Sequence, residues 1–324
     1  MNPTEALGLP RLQEGMRRLE PLLTDSVVTG DGFLDEVTTH LIAAGGKRLR
    51  PLLALASATA GERAATHEDL MGGVAVELVH LASLYHDDVI DEATIRRNVE
   101  SVNSRFGNLV AIVAGDYLLA RSAAIAASLG TDIAALLADT LGRLCQGQVS
   151  EVRTAYQIGR SREEYTSAIS GKTAALMATS CRIGALTGGL PVPEVEACTE
   201  YGRCFGMAFQ IRDDVLDVTA TDGQLQKPAG QDLAEGIYTL PALVALADPD
   251  AGPDLRALLG QPLAQPERDK ARAMVMASAG IAASVDAART YVERAKEATA
   301  GVGPPALQAG LVRLVAELLS DLPD

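Results

Sequence analysis

Six aspartates in two copies of one short pattern could do chemistry here: Asp87, Asp88 and Asp91 in DDVID, and Asp213, Asp214 and Asp217 in DDVLD. In each copy the outer two are four residues apart. On an α-helix this places them about 40° apart on one face, one turn from each other. Both copies sit in apolar stretches of helical character, LASLYHDDVIDE and GMAFQIRDDVLDV, so the carboxylates are expected to point at one another across a helical bundle. Carboxylates gathered in an apolar interior repel and raise their own pKa unless cations join them. Hard divalent cations meet that need, and Mg2+ favours a few carboxylates together with the phosphate oxygens of a substrate. The pattern predicts a Mg2+–diphosphate site. One such motif alone is an ordinary solvated acidic face; two, each inside an apolar helix, are harder to dismiss.

Basic residues suggest a second anion site. GGKRLRP at 45–51 brings Lys47, Arg48 and Arg50 just past a helix end, where free backbone N–H groups add their own preference for anions. Arg96 and Arg97 follow the first acidic motif, and as adjacent helical residues they would point about 100° apart, toward two different ligands. His80 precedes Asp87 by seven residues on the same helical stripe, where it is either a phosphate donor or an ordinary core histidine. Lys172–Thr173, Gln210 and Lys227 supply further donors. Singly these residues are surface decoration. As a set they describe one diphosphate held through metals and another held by direct basic contacts.

The elements that must carry these groups are helices. Helical periodicity covers roughly 10–24, 31–44, 48–61, 68–92, 108–129, 131–157, 162–188, 193–219 and 232–247, with shorter helices to the end and no β-hairpin signals. This predicts an all-α bundle, a single domain over 1–324, with helices long enough to enclose a cavity. The segment from Thr219 to Gln231, with Gly223, Pro228 and Gly230, reads either as a lid over the second motif or as a plain surface connection. Asp232-x-x-Glu235 reads as a capping box that restarts the helix. A net charge of −14 argues against nucleic acid or an anionic membrane surface as partner. The longest apolar runs, such as LVAIVAG at 109–115, are too short to span a bilayer, so no transmembrane segment is expected. The four cysteines, Cys145, Cys181, Cys198 and Cys204, form no metal-binding spacing and read as core thiols of a cytoplasmic protein.

These stretches together resemble the trans-isoprenyl diphosphate synthases, the polyprenyl synthetase family. The matching segments are GGKRLRP, HLASLYHDDVIDEATIRRN, GDYLLA, GKTAAL, FQIRDDVLD and KPAGQDLAEG, in family order, while the extreme C-terminus carries little of the likeness. The resemblance implies an all-α prenyltransferase bundle with a central cavity, usually a homodimer. It implies Mg2+ at Asp87, Asp91 and Asp213, supported by Asp88, Asp214 and Asp217, with Asp232 joining through water. Lys47, Arg50, His80 and Arg97 would hold isopentenyl diphosphate. Arg96, Lys172, Thr173, Gln210 and Lys227 would face the diphosphate of an allylic partner, farnesyl or geranylgeranyl diphosphate. Asp87, Asp91, Asp213 and Lys172 form the expected catalytic set.

Two departures stand out against that family. A lysine common after the Glu-Gly of the last stretch is replaced by Ile237, with Arg212 as a candidate substitute; Gln226 stands where a glycine often precedes the lysine. The growing tail should run past Val79, Ala82 and Ser83, one or two turns before Asp87, and none of these is bulky enough to plug a tunnel. Product chains of C30 or longer are the expectation, with a geranylgeranyl diphosphate synthase as the shorter alternative. A terpene cyclase has no use for the second anion site. A non-catalytic partner subunit would be expected to have lost an acidic motif, and both are intact.

Overall fold

The computed structural model describes residues 3–59, 62–220 and 229–323. Gly61, Gly223, Gln226, Lys227 and Pro228, and with them most of the expected lid, lie outside the described residues. The chain is predominantly helical. In order run α1 (Pro3–Leu7), α2 (Pro10–Asp25), α3 (Gly32–Ala43), α4 (Leu49–Thr59), α5 (His67–Ile90), α6 (Val102–Phe106), α7 (Asn108–Leu129), α8 (Thr131–Thr154) and α9 (Arg162–Ile169). A π-helical turn, Ser170–Ala174, leads into α10 (Ala175–Thr187) and α11 (Val192–Thr219). Then come α12 (Gln231–Ala234), α13 (Leu240–Ala247), α14 (Gly252–Leu258), α15 (Gln265–Ala277), α16 (Gly280–Thr299) and α17 (Pro305–Glu317). Two compact units divide the chain: Met1–Leu141, Leu176–Gly202 and Ala298–Leu314 form the first, and Gly142–Ala175, Arg203–Glu297 and Val315–Asp324 the second.

In the first unit α5 is the organising helix. Residues 72–79 are all buried, as befits a helix segment enclosed on every side. Its start is fixed by a capping box between Thr66 and Asp69, and α2, α4 and α7 pack around it. A Cβ at Gly72 would lie 2.9 Å from Ile183, and one at Gly73 2.7 Å from Leu19, so these two positions bring the neighbouring side chains against the α5 backbone. Each fully buried Leu or Val along α5 stabilises the unit by about 1.5–3 kcal/mol.

Two features of this unit correct the sequence expectations. The chain after α5 forms a small antiparallel hairpin, β1 (Ile95–Arg96) and β2 (Val99–Glu100). Arg97 and Asn98 occupy its two-residue turn at φ +54° and +62°, the positive-φ pair that matches the twist of a hairpin. Arg96 and Arg97 are therefore not on a helix, and the 100° argument about their directions does not apply. The second correction concerns α7. The LVAIVAG run is short, but the whole 22-residue helix is long and apolar enough, by length and composition, to cross a membrane. It buries Ala111, Ala114, Gly115, Leu118, Ser122, Ile125 and Ala126 within the unit.

The second unit is built on an apolar core that includes Tyr165, Ile169, Met207, Ile211, Tyr238, Leu243 and Val275. Where one helix was expected over 162–188, the π-helical turn interrupts it at SGKTA. The turn lies against α8: a Cβ on Gly171 would stand 2.7 Å from the Arg143 carbonyl oxygen, and one on Gly147 2.6 Å from the Lys172 nitrogen. The helix expected over 232–247 is also broken. Gly236, at φ +72°, lies against the Tyr156 ring, and Pro241 opens α13. The predicted Asp232–Glu235 capping box is absent because Gly230 is the N-cap of α12, in the left-handed region, and Asp232 is already inside the helix. Of the cysteines Cys181, Cys198 and Cys204 are buried, whereas Cys145 is exposed rather than a core thiol.

Candidate active site

Both acidic motifs occupy the C-terminal turns of their helices, α5 ending at Ile90 and α11 at Thr219. Asp91 is the C-cap of α5, and its N–H donates to the Asp87 carbonyl at 2.8 Å. A helix carries partial negative charge at this end, so three carboxylates there are badly placed unless cations meet them. In each motif one arginine does so. Arg96 binds Asp88 Oδ1 through Nε at 2.7 Å and Nη2 at 2.6 Å. Arg212 binds Asp213 Oδ1 at 2.7 Å and also Asp321 near the C-terminus, with Nε at 3.0 Å. Arg212, the candidate substitute for the family lysine, is thus directed at two carboxylates.

Asp88, Asp214 and Asp217 are buried, whereas Asp87 and Asp213 are half-buried and Asp91 is exposed. Asp88 is fully buried, and its Oδ2 has no hydrogen-bond partner among the described residues. Asp214 has both oxygens engaged: Tyr165 Oη donates to Oδ2 at 2.5 Å and Gln210 Nε2 to Oδ1 at 2.9 Å. Burial, with Asp232 nearby, pushes the Asp214 carboxyl well above its usual range. Asp217 is also buried, and its Oδ2 accepts from the Asp232 N–H, 3.3 Å away, at the start of α12. Among the described residues no three His, Cys, Asp or Glu side chains converge tightly enough to define a metal site. The donor chemistry of each motif by itself nevertheless suits a hard divalent cation: all-oxygen donors at the negative end of its helix.

The basic residues of the first unit gather around α5. Arg48, at φ +45°, is fixed by Glu20 (Nη2–Oε1 2.7 Å), by Glu77 (Nη1–Oε1 3.0 Å) and by the Ile42 carbonyl at 3.0 Å. It is a structural strut and not a free phosphate ligand. Arg97 Nη1 donates to the Leu41 carbonyl at 3.0 Å and to that of Gly45, which ties the hairpin turn to the GGKRLRP loop. Burial brings Arg50 down to about 10. Burial, then Arg50 and Arg97, push His80 well below the usual imidazole range, so it offers a neutral N–H. Lys47 is exposed. His80, Arg50 and Arg97 belong to a predominantly basic cluster beside α5, with Arg48 at its edge and the buried Glu77 as a counter-charge.

In the second unit the π-helical turn presents Lys172 and Thr173. Thr173 Oγ1 donates to Gln210 Oε1 at 2.7 Å, which sets the amide so that its nitrogen faces Asp214. Lys172 Nζ is bonded to Glu151. Arg160 stacks over Tyr165, 5.7 Å from the ring centroid. Tyr165, Glu151 and Asp321 escaped the sequence reading because nothing in their local pattern marks them. Glu77 had a visible signal, as a lone acid in the apolar run GGVAVELVH.

The polyprenyl synthetase family model matches residues 31–276, a span that includes every group just described except Glu20 and Asp321. The chain is 37% identical over 296 residues to a nonaprenyl diphosphate synthase of Mycobacterium tuberculosis, covering 90% of this chain and 88% of that one. It is 42% identical over 238 residues to heptaprenyl diphosphate synthase component 2 of Geobacillus stearothermophilus, 73% and 74% of the two chains. Its fold superposes on a polyprenyl synthase of Caulobacter crescentus CB15, solved with calcium and isoprenyl diphosphate, with a TM-score of 0.90, 30% identity and 97% and 98% coverage. With the acidic pairs, the basic loop and the all-α architecture in agreement, the chain belongs to the polyprenyl synthetase family.

Proposed function

We propose that the protein condenses isopentenyl diphosphate with an allylic diphosphate, farnesyl or geranylgeranyl, and repeats the step to an all-trans polyprenyl diphosphate of C30 or longer. The observation that carries this reading is the pairing, around one helix, of a carboxylate end (Asp87 and Asp91) with a positively charged pocket (Arg50, Arg97 and neutral His80). An enzyme that only ionises one diphosphate needs the first and not the second. Asp87, Asp91 and Asp213 would hold Mg2+, which supplies positive charge to the leaving diphosphate.

The allylic C–O bond breaks with its electron pair going to the diphosphate. The isopentenyl double bond then attacks the allylic cation, and the proton released goes to the departed diphosphate. The chain's own groups bind and orient. Gln210, set by Thr173 at its carbonyl oxygen and by Asp214 at its amide nitrogen, keeps a second N–H for the allylic diphosphate. Thr173 would turn its hydroxyl to that diphosphate on binding, and Arg50, Arg97 and His80 fix the second substrate. Orientation of this kind supplies much of the rate.

The long product rests on the modest size of Val79, Ala82 and Ser83, one or two turns before Asp87 on α5, and on the similarity to nonaprenyl and heptaprenyl diphosphate synthases. A second copy of the chain is the proposed partner for α7. Leu109, Ile112 and Val113 are exposed in register with the exposed alanines 120, 123, 124 and 127 along one face, interrupted by the exposed Asp116, a mainly apolar stripe of the kind buried in a homodimer. The deciding experiment incubates the protein with Mg2+, isopentenyl diphosphate and farnesyl diphosphate and sizes the dephosphorylated products. Chains of C30 or longer are expected, shortened in Ala82→Phe. A stop at C20 in the wild type would favour the geranylgeranyl alternative, and no product would favour a partner subunit.

A further inference from the structure

Glu77 lies three residues before His80 on α5, and its side chain is 1% exposed. Oε1 accepts from Arg48, while Oε2 has no hydrogen-bond partner among the described residues, and neither has the buried Nε of Arg50. Burial raises the pKa of Glu77, against the charges of Arg48, Arg50 and Arg97. Those cations disfavour one another: Arg97 lowers Arg50, and Arg48 and Arg96 lower Arg97, while Glu77 supports both Arg50 and Arg97. Arg48 is committed to Glu20, Glu77 and the Ile42 carbonyl. Glu77 is therefore a buried counter-charge, bonded to the strut Arg48 and acting on Arg50 and Arg97 through charge and not through a hydrogen bond.

We propose that Glu77 is the positioning residue of the isopentenyl diphosphate site: anchored by Arg48, its carboxylate keeps Arg50 and Arg97 together and aimed without touching substrate. This rests on the functional reading above. A passive counter-ion would behave in the opposite way, since removing a negative charge beside an anion site strengthens anion binding if the arginines stay in place. The sign of the effect therefore decides.

The test compares steady-state kinetics of wild type, Glu77→Gln and Glu77→Asp, with folding checked by circular dichroism. In Glu77→Gln the KM for isopentenyl diphosphate should rise about tenfold, with kcat and the allylic KM changed less than about twofold. Glu77→Asp, which keeps the charge on a shorter arm, should fall between. An unchanged or lower KM, or a loss confined to kcat, overturns the proposal. Should Glu77→Gln fail to fold, Glu77→Asp carries the test through its KM and through calorimetric binding of isopentenyl diphosphate without metal, and no weakening there overturns it equally. Wild type lacking all condensation would withdraw the functional reading itself, whereas active wild type with an unaffected variant withdraws only the role of Glu77.

Discussion

Single side chains here are set by burial as much as by charge. His80 has a depressed pKa, so the unfolded chain takes up a proton below about 6.5 that the folded chain does not. Its contribution to stability is complete above that pH and is lost as pH falls, by up to about 1.4 kcal/mol per pH unit. Glu77 and Asp214 are shifted upward and act with the opposite sign. The readout is therefore a difference: thermal midpoints measured from pH 7.5 to 5 should fall less steeply in His80→Gln than in wild type. Tyr165 makes a second prediction. Tyr165→Phe removes the donor from a buried carboxylate oxygen and should cost about 2 kcal/mol in denaturant unfolding. It should also raise the KM for the allylic substrate several-fold, because Asp214, which orients Gln210, loses one of its two side-chain donors.

At the scale of elements, the irregular segments carry the donors. Arg97 sits in a hairpin turn at positive φ, a conformation unusual for arginine, and is held by the Leu41 and Gly45 carbonyls. Lys172 and Thr173 sit on a π-helical turn, a form found mostly as short insertions at functional sites. That turn depends on bare backbone meeting bare backbone at Gly171 and Gly147. Gly171→Ala places a methyl 2.7 Å from the Arg143 carbonyl oxygen and should cost about 2 kcal/mol as the turn moves off α8. Its activity should fall through the allylic KM more than through that for isopentenyl diphosphate, a split that steady-state kinetics would show.

For the whole molecule, the exposed stripe on α7 is a surface the proposed chemistry does not use. With Leu109 75% and Val113 55% exposed, the helix has a mainly apolar face left open among the described residues. Light scattering should report twice the 33.8 kDa chain mass for wild type and the single mass for Leu109→Asp/Val113→Asp. A wild-type monomer would remove the second copy from the proposal.

The periodic helices, the acidic motifs and the family were legible in the sequence because they are local: a 3.6-residue period and a four-residue carboxylate spacing are properties of short stretches. The ends of α2, α3, α5, α7 and α11 follow expectation to within two residues for the same reason. Three things were not legible. The hairpin at Arg97 has no glycine to announce it, and its turn is held by carbonyls about 50 residues earlier in the chain. The break before α13 follows from Tyr156 lying against Gly236. The pairing of Arg96 with Asp88, of Tyr165 with Asp214 and of Glu77 with Arg48 depends on which side chains burial leaves within reach of one another. Sequence by itself determined which chemical groups the chain carries and which helices bear them. Tertiary structure alone decided which of those charges are spent on each other, because a buried charge must find its partner in space and local pattern does not encode where that partner lies.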